Sequence, residues 1–561
     1  EYRFGKSWGG QAARVISAIA VIVSTIGMLT YLMKALGLFI AMFVPFSPAQ
    51  CVLVMVLIAA LYTAVSGFFG VVYTDLFQSL IVISAIIFIS VIAVDKIAGA
   101  GNIAAMAVNV TGNDQWANSS LPLTVTMPRE YGAYQDLLIL AIFYFLRNML
   151  VGISSAGADP RYFGARNERE CGTLTFLWTS LMMFRWLMMM GFAVLGIILV
   201  HDAFPDQSVL IAAADYIKMH FHNISRADWP DLISNIMNNP AHFRPDFIGG
   251  LRGLLQNDWQ SKLSLLSYDG TVNPEKIVPA VILIDLPAGA RGFLLIAFVA
   301  AAFSSFNSSA NSAAAYFTRD LYQRFFHSTA KTKELIGVSY LFICSMALIA
   351  YIFAYDFRSI TQIWGWIAMG LGGGLAIPAV LKFYWWRYNG GGFAIGTSVG
   401  IIASIAEISL FPHLLEWQQF VLVASISLVA TIVGTLLTSP VEDDVAFNFY
   451  RTTRPFGFWQ PFKTRLDPGI RKAMEREHRN DLTAIPFTLG WQISLFLLPM
   501  QLMIGNYRQS YFTLGVFLFC ITGMYFFWYR NLPPGESSGK IVQQKPVYEQ
   551  ITEDSINNPS S

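Results

Sequence analysis

Long apolar stretches separated by polar segments recur along the whole chain. They cover residues 11–44, 50–68, 70–95, 136–158, 172–200, 290–317, 335–355, 360–384, 393–412, 418–438, 484–505 and 511–530. Most have about 20 residues or more, which is the length of helix that crosses the roughly 30 Å hydrocarbon core of a bilayer. Because 55% of the residues are hydrophobic and only 13% are charged, the pattern predicts an all-α polytopic membrane protein with about twelve spans.

Lysine and arginine are concentrated in alternate polar segments, although the formal net charge is only +2. The basic segments are Arg3–Arg14, Arg161–Arg169, Arg319–Lys333, Lys382–Arg387 and 440–483. Because loops rich in Lys and Arg stay in the cytoplasm, we expect a multi-pass protein of the plasma membrane (the inner membrane of a bacterial cell) with both chain ends in the cytoplasm. The segments near 98–134 and 201–288 should be outer loops, and the polar tail at 531–561 should be disordered.

The run Ala300–Ser312 places small and hydroxylic residues in the middle of an apolar helix. At 3.6 residues per turn, positions 301, 304, 305 and 308 fall on one face, so one backbone carbonyl and three hydroxyls can converge on a small ion. Such oxygens replace the water shell of an alkali cation. The same spacing of small residues also lets two helices pack closely, and both interpretations remain open. Ser312 is placed beyond the proposed ion-binding face.

Enzyme motifs are absent from the sequence, which has no phosphate-binding loop, no Ser-His-Asp order and no Cys or His cluster with metal-ligand spacing. The chain is therefore predicted not to be an enzyme and to need no cofactor apart from a coupling ion. The aromatic and basic stretch Arg454–Phe462 is interpreted as an interfacial anchor, with Trp and Phe at the level of the lipid headgroups. Docking of a partner is the alternative. Lys382–Arg387 is interpreted as the same kind of collar.

Three segments have a distinctive order of residues. They are Gly67-Phe68-Phe69-Gly70-Val71-Val72-Tyr73-Thr74-Asp75-Leu76-Phe77-Gln78, the run from Ala300 through Phe317-Thr318-Arg319-Asp320-Leu321-Tyr322, and Pro160-Arg161-Tyr162-Phe163-Gly164-Ala165-Arg166. Together with the order of the spans, they resemble the sodium:solute symporter family, the relatives of sodium/glucose and sodium/proline cotransporters. The resemblance implies a LeuT-type fold of two five-helix inverted repeats, each with one discontinuous helix beside a site at the middle of the membrane.

On that plan, the span at 11–44 resembles the third core helix, so the first core helices are expected to be missing and the chain to be N-terminally incomplete. The first residue, Glu1, is not Met, which agrees with this expectation. The resemblance implies the remainder of the first repeat (core helices 3–5) at 1–98, an outer loop at 99–135, the second repeat (core helices 6–10) at 136–385 with a long outer loop at about 201–288, four C-terminal helices at 386–530 with a basic inner loop at 440–483, and the tail at 531–561.

The resemblance assigns six residues to sodium binding, namely Ala301, Ser304, Ser305, Ser308, Asp75 and Asn307. The carbonyl of the first and the hydroxyls of the next two correspond to the sodium site common to the family. Ser308 and Asp75 match a second site in some members, with Ser304 shared. Asn307 departs from the serine often found there, but its amide oxygen can also bind a cation. Because a carboxylate inside a membrane is costly without a partner, Asp75 is either an ion ligand or a cap or gate at the inner end of its span.

Four residues are candidates for binding the solute, namely Asn148, Arg147, Arg185 and Gln362. Asn148 aligns with a family asparagine that contacts sugar, but Val151 and Met182 stand where sugar carriers have an aromatic gate residue and a lysine. The two arginines lie about halfway through their spans, and a guanidinium group suits a carboxylate. The alternative role of each arginine is an internal ion pair, with Asp159 as one partner, or bonds to backbone carbonyls freed by a helix break. Gln362 either faces the pocket or packs.

The sequence therefore predicts a sodium-coupled secondary active symporter of a small polar solute, a sugar or an organic anion, that works by alternating access. The alternative is a membrane solute sensor or receptor module that uses the same fold without net transport. The expected partners are the solute, Na⁺ and the lipid bilayer. Nucleic acid is not expected, and the oligomeric state is not predicted.

Overall fold

The structure is a computed structural model of the chain. It describes residues 2–532 except 117, 120–122, 126–133, 155–161, 163–164, 227 and 358, and it describes no side chains at 59–73, 184, 355 and 356. The predicted tail from residue 533 on, most of the motif Pro160–Arg166, and Asp159 therefore lie outside the described residues.

The chain divides into two compact units, one formed by Glu1–Ser154 with Leu187–Leu466 and the other by Ser155–Trp186 with Asp467–Ser561. The first helices are α1 (Trp8–Ile40), α2 (Pro48–Ala100), α3 (Ile103–Thr111), α4 (Leu137–Ser154) and α5 (Glu168–Ala203). A long loop at 204–287 contains α6 (Ser208–His220), α7 (Trp229–Asn238), α8 (Pro245–Leu255), α9 (Trp259–Ser264) and α10 (Ile277–Asp285). The remaining helices are α11 (Ala288–Tyr316), α12 (Gln323–Phe325), α13 (Thr332–Asp356), α14 (Ile360–Gly365), α15 (Gly372–Tyr384), α16 (Gly390–Leu410), α17 (Glu416–Leu437), α18 (Asp443–Thr453), α19 (Gln460–Lys463), α20 (Pro468–Met503) and α21 (Tyr507–Phe527). π-Helical turns at Phe317–Tyr322 and Trp366–Leu371 join α11 to α12 and α14 to α15.

Eleven helices in the described part of the chain are long and apolar enough to cross a membrane, which confirms the predicted all-helical polytopic fold. The predicted count of about twelve stays a prediction, because within α2 the counted span is Thr74–Ala100 and Pro48–Ile58 is a shorter apolar helical segment. Helix α2 is continuous over 53 residues, whereas the sequence predicts separate spans at 50–68 and 70–95. Ser47 and Gln50 start it with a reciprocal capping box. A helix of this length is roughly 80 Å long, far more than one membrane crossing needs.

Helix α1 is the central helix of the larger unit and packs against α2, α11, α13 and α16. Short side chains allow the close approach to α11, because Ala310, Ala313 and Ala314 share one buried cluster with Leu29 and Met33 of α1. The serines that precede these alanines on α11 are consequently held beside α1.

Helices α15, α16 and α17 meet at a pair of glycines. A Cβ atom added at Gly400 would lie 2.7 Å from the carbonyl oxygen of Gly374, and one added at Gly374 would lie 2.9 Å from the carbonyl oxygen of Gly400. Ser427 of α17 donates its hydroxyl proton to the same Gly374 carbonyl at 2.8 Å. A side chain at either glycine would separate the two backbones, so this contact depends on both glycines.

The segment 441–466 folds back onto the end of α15. Trp459 is only 2% exposed, and its indole N–H donates a hydrogen bond to the carbonyl oxygen of Phe383 at 2.8 Å. The guanidinium carbon of Arg3 lies 5.1 Å from the centre of the Trp459 ring, which is within the range of a cation–π contact. Burial lowers the pKa of Arg3 to about 10, so this side chain stays charged at neutral pH.

This packing corrects one sequence interpretation. We predicted that Arg454–Phe462 places its Trp and Phe among lipid headgroups, but Trp459 and Phe462 are each 2% exposed and pack on protein. Phe458, at 75% exposed, remains available to lipid, and Phe456 is partly exposed. The physical reason is that the aromatic collar at 382–387 provides buried partners for these rings, which a single sequence does not reveal.

In the smaller unit, aromatic rings join the beginning of α5 to α20. Phe176 stacks on Trp491 with ring centres 4.8 Å apart, and Trp186 meets Phe496 edge to face at 4.8 Å. Such pairs add about 0.5–1.5 kcal/mol each beyond the burial of their area.

Candidate functional site

The predicted sodium ligands of α11 form a continuous hydroxyl-bearing face. Ala301, Ser304 and Ser305 are partly buried and Ser308 is exposed. The Ser308 hydroxyl donates to the carbonyl oxygen of Ser304 at 2.9 Å and lies 3.3 Å from that of Ser305. Its oxygen lone pairs remain able to accept or to bind a cation. The structure therefore brings these four residues together on one face.

Ser308, at one end of that face, lines an open cavity of about 500 Å³, whereas Ala301, Ser304 and Ser305 are not among its lining residues. Ser308, Ser309 and Ser312 of α11 line it opposite Ser24 and Thr25 of α1. Ser312, which the sequence analysis placed beyond the site, therefore lines the same cavity as Ser308. Sequence reasoning missed the two α1 hydroxyls, although adjacent Ser and Thr inside an apolar span are a usable signal of a polar surface.

Asn307 has different surroundings from its neighbour Ser308. It is 1% exposed, whereas Ser308 is exposed. At about 100° per residue, Asn307 lies at the edge of the hydroxyl-bearing face. A sodium role for Asn307 therefore needs its amide oxygen to reach around the helix.

Asp75 lies on α2, a helix that packs along α11. Among the described residues, neither Oδ1 of Asp75 nor Oε1 of Gln78 has a hydrogen-bond donor, and both atoms are buried. Residues three apart share one side of a helix, so Asp75 and Gln78 present these two acceptors on the same side of α2. Buried acceptors without donors are suited to a cation. Gln78 was not singled out from the sequence, although its spacing from Asp75 was the available signal.

Two of the predicted solute-binding residues contact each other. The Arg147 Nε donates to the carbonyl oxygen of Ala368 at 3.0 Å, and its NH1 donates to the Asn148 side-chain oxygen at 2.8 Å. The acceptor Ala368 belongs to the π-helical turn Trp366–Leu371. Arg147 therefore ties α4 to this turn, and the carbonyl it binds is on another helix.

The other two solute candidates, Gln362 and Arg185, belong to different helices from Arg147 and Asn148. Gln362 is partly buried on α14, and its backbone N–H donates to the Ser359 hydroxyl at 3.1 Å. Arg185 belongs to the smaller unit, where it is exposed and its guanidinium carbon lies 5.6 Å from the centre of the Trp186 ring.

The long loop is anchored to the start of α14 through Glu275. Its Oε1 accepts the backbone N–H groups of Ile360 at 2.6 Å and of Thr361 at 3.3 Å. These are among the first N–H groups of a helix, which have no acceptor inside the helix. Burial raises the pKa of Glu275, while the two N–H groups oppose that rise. Burial lowers the pKa of the adjacent Lys276 to about 8, against the attraction of Glu275 and Asp231.

Comparison with known proteins gives a consistent picture. Residues 1–237 and 269–400 match the model of the "Sodium:solute symporter family". The osmoregulated proline transporter OpuE of Bacillus subtilis (strain 168) is 34% identical over 110 residues, which are 19% of this chain and 22% of that protein. The sodium/sialic acid symporter SiaT of Proteus mirabilis (strain HI4320) is 31% identical over 147 residues, 24% of this chain and 28% of that protein.

The matched segments thus span about a quarter of the length of these relatives. A solved structure of a Na⁺-coupled sialic acid symporter in a substrate-bound outward-open state is also similar. It has a TM-score of 0.44 and 18% sequence identity over 77% of this chain and 76% of that chain.

Proposed function

Because the chain belongs to the sodium:solute symporter family, we propose that it is a sodium-coupled secondary active symporter of a small polar solute. It is a multi-pass membrane protein of a transporter family and not an enzyme. The observation that best supports sodium coupling is the hydroxyl-bearing face of α11, of which Ser308 lines a cavity together with Ser24 and Thr25 of α1.

The proposed coupling site uses oxygen ligands only. The carbonyl of Ala301 and the hydroxyls of Ser304 and Ser305 would hold one sodium ion, as in the prediction from the sequence. Ser308 and Asp75 would contribute to a second ion, for which the unpaired Oδ1 of Asp75 is the supporting observation. A sodium ion there would supply the positive charge that a buried carboxylate lacks. Asn307 remains a proposed ligand at the edge of this face.

The proposed solute is an organic anion or a sugar, with Arg147, Asn148, Gln362 and Arg185 as candidate ligands. Two relatives are named for sialic acid and for proline, both of which contain a carboxylate group. A guanidinium can hold such a group with two parallel hydrogen bonds. Arg147 already donates to Ala368 and Asn148, so a bound anion would compete with the attachment of α4 to the π-helical turn. Solute binding would in this way act directly on the helix that follows the turn.

In this mechanism, sodium binding stabilises one conformation and the solute binds beside the π-helical turn. Movement of one group of helices against the other then exposes both to the opposite side. The sodium gradient supplies the driving force. The basic loops and the C-terminus are proposed to face the cytoplasm.

The test is sodium-dependent thermal stabilisation of the purified full chain, with potassium as the ionic-strength control. A ligand at one hundred times its Kd stabilises the folded state by about 2.7 kcal/mol. We expect a sodium-specific rise in the unfolding midpoint that Ser305→Ala abolishes. Ser345→Ala is the matched control, because this exposed serine on α13 donates only to the carbonyl oxygen of Leu341.

The solute class follows from repeating the measurement with sugars, carboxylates and sialic-acid-like anions in the presence of sodium. The class that enlarges the sodium effect is the substrate class. Equal, small losses in both serine variants would assign the serines of α11 to packing. Sodium binding without uptake in proteoliposomes would favour the sensor function.

A further inference from the structure

The π-helical turn Trp366–Leu371 is bonded to helices on both of its sides. On one side, Arg147 of α4 donates to Ala368. On the other side, the indole N–H of Trp366 donates to the backbone carbonyl of Ser404 on α16 at 3.0 Å. Turns of this kind occur frequently at functional sites. The proposed function uses the α4 side of the turn and leaves the α16 side without a role.

Two polar side chains of α16, Glu407 and Ser404, face this turn. Glu407 is 3% exposed and Ser404 is fully buried. Among the described residues, neither Oε2 of Glu407 nor Oγ of Ser404 has a hydrogen-bond partner. A Cβ atom added at Gly370 would lie 3.1 Å from Oε2 and 3.3 Å from Oγ. The glycine therefore leaves a small space bordered by the two oxygens.

The charged and titratable groups on the neighbouring helices are engaged elsewhere. Helix α16 packs mainly against α1, α15, α17 and the π-helical turn. The groups on these elements are Arg14, Tyr31 and Lys34 of α1, Lys382 and Tyr384 of α15, and Glu416 of α17. Arg14 pairs with Asp320, and Lys382 donates to the carbonyl oxygen of Ser154 at 3.0 Å. Glu416 accepts a hydrogen bond from the Tyr144 hydroxyl at 2.6 Å.

The two remaining groups of α1 lie beside other partners. Tyr31 packs on Trp364 with ring centres 5.3 Å apart, and Lys34 lines a cavity together with Asp231 of the long loop. Tyr384 is the last residue of α15, fourteen positions after Gly370, which corresponds to about 21 Å along a helix. In the described part of the chain, then, Glu407 is a buried carboxyl group within the span Gly390–Leu410. The cationic side chains Arg14 and Lys382 of the neighbouring helices bond to other groups.

A buried carboxylate without a partner is costly, and protonation removes that cost. An alkali ion would need several oxygens to replace its water shell, and the atoms nearest to the space beside Gly370 supply two. We propose that Glu407 is a proton-binding site, neutral while the π-helical turn packs against α16. The proton comes from solvent and returns to it when the turn moves away and water reaches Oε2. This site is separate from the serines of α11. It would bind a second kind of cation, H⁺, in addition to the sodium of the proposed function.

The test is infrared spectroscopy of the full chain reconstituted in lipid and titrated with acid and base in potassium buffer. We expect the C=O stretching band of a neutral carboxylic acid at neutral pH. The band should be absent in Glu407→Gln and present in Glu416→Gln, the matched control on α17. Adding sodium should leave it unchanged. Because the band reports the proton itself, the result is independent of solute uptake and of the Ser305→Ala measurement.

Two outcomes would overturn the proposal, namely no such band assigned to Glu407 at neutral pH, or a band that sodium removes. The latter would identify a metal-cation site instead. The neutral amide of Glu407→Gln should also leave the unfolding midpoint unchanged, and a lower midpoint would show that the ionised form is native. If that variant does not fold, Ser404→Ala replaces it. This change should shift the frequency of the band, and an unshifted band would place the neutral acid elsewhere.

Discussion

Replacing Glu275 tests whether the long loop holds the beginning of α14. Its carboxylate accepts the N–H groups of Ile360 at 2.6 Å and Thr361 at 3.3 Å. A hydrogen bond to a charged group contributes about 1.5–3 kcal/mol, the second bond is long and adds less, and a negative charge at a helix N-terminus adds about 0.3–1 kcal/mol. We therefore expect Glu275→Ala to lower the local stability of this turn by about 2–4 kcal/mol. Glu275→Gln keeps an acceptor oxygen but loses the charge, so it should cost about half as much.

The assay is amide hydrogen exchange at fixed pH, because these two amides have no acceptor within the helix. A loss of 2–4 kcal/mol corresponds to roughly 30- to 1,000-fold faster exchange at Ile360 and Thr361. Asp246→Asn, which removes an exposed carboxylate from the same loop, should leave both rates unchanged. Amides in the middle of α16 report global unfolding. Unchanged exchange in Glu275→Ala, or equal acceleration in Asp246→Asn, would refute the idea that Glu275 anchors the helix.

Two further predictions concern buried groups outside the spans. Burial lowers the pKa of Lys276 from 10.5 to about 8, so the folded protein binds fewer protons than the unfolded chain between these values. Stability then rises with pH across that window, and a penalty of about 3 kcal/mol is present below it. Lys276→Met should raise the unfolding midpoint at pH 7 and abolish the increase of stability with pH. A lower midpoint at pH 7 would contradict the reasoning. Trp459→Ala should cost about 4 kcal/mol because the ring is buried. Phe458→Ala, at an exposed ring, should change the free energy of unfolding by less than about 0.5 kcal/mol, and similar losses in both would argue against the packing of segment 441–466.

Local spacing predicted much of this molecule. The spans were recognisable because about 20 apolar residues in a row have few other uses, and the serines of α11 were grouped correctly because helical periodicity depends only on the sequence around them. Ser312, which the sequence analysis placed beyond the ion-binding face, lies one turn further along α11 and lines the same cavity as Ser308. Its exclusion from ion binding stays a prediction.

Contacts between distant residues could not be predicted in this way. Glu275 reads as an ordinary acidic loop residue until the fold brings it to Ile360, 85 positions later. Trp459 reads as a lipid anchor because its partner Phe383 is 76 positions away. Glu407 received no role from the sequence, since its burial and the absence of a described partner for Oε2 arise only from packing against the π-helical turn.

The glycine contact between α15 and α16 is a point about which the segment before it, α14 and the π-helical turn Trp366–Leu371, can tilt. Gly374 and Gly400 touch through their backbones, so one helix can tilt on the other there without side chains colliding. Gln362 lies twelve residues before Gly374, a lever arm of about 18 Å at 1.5 Å per residue. A tilt of about 10° would therefore displace Gln362 by about 3 Å, as far as the length of a hydrogen bond. Glu275 bonds the start of α14 at Ile360 and Thr361. The long loop is therefore positioned to limit the tilt of the segment from Ile360 to Gly374.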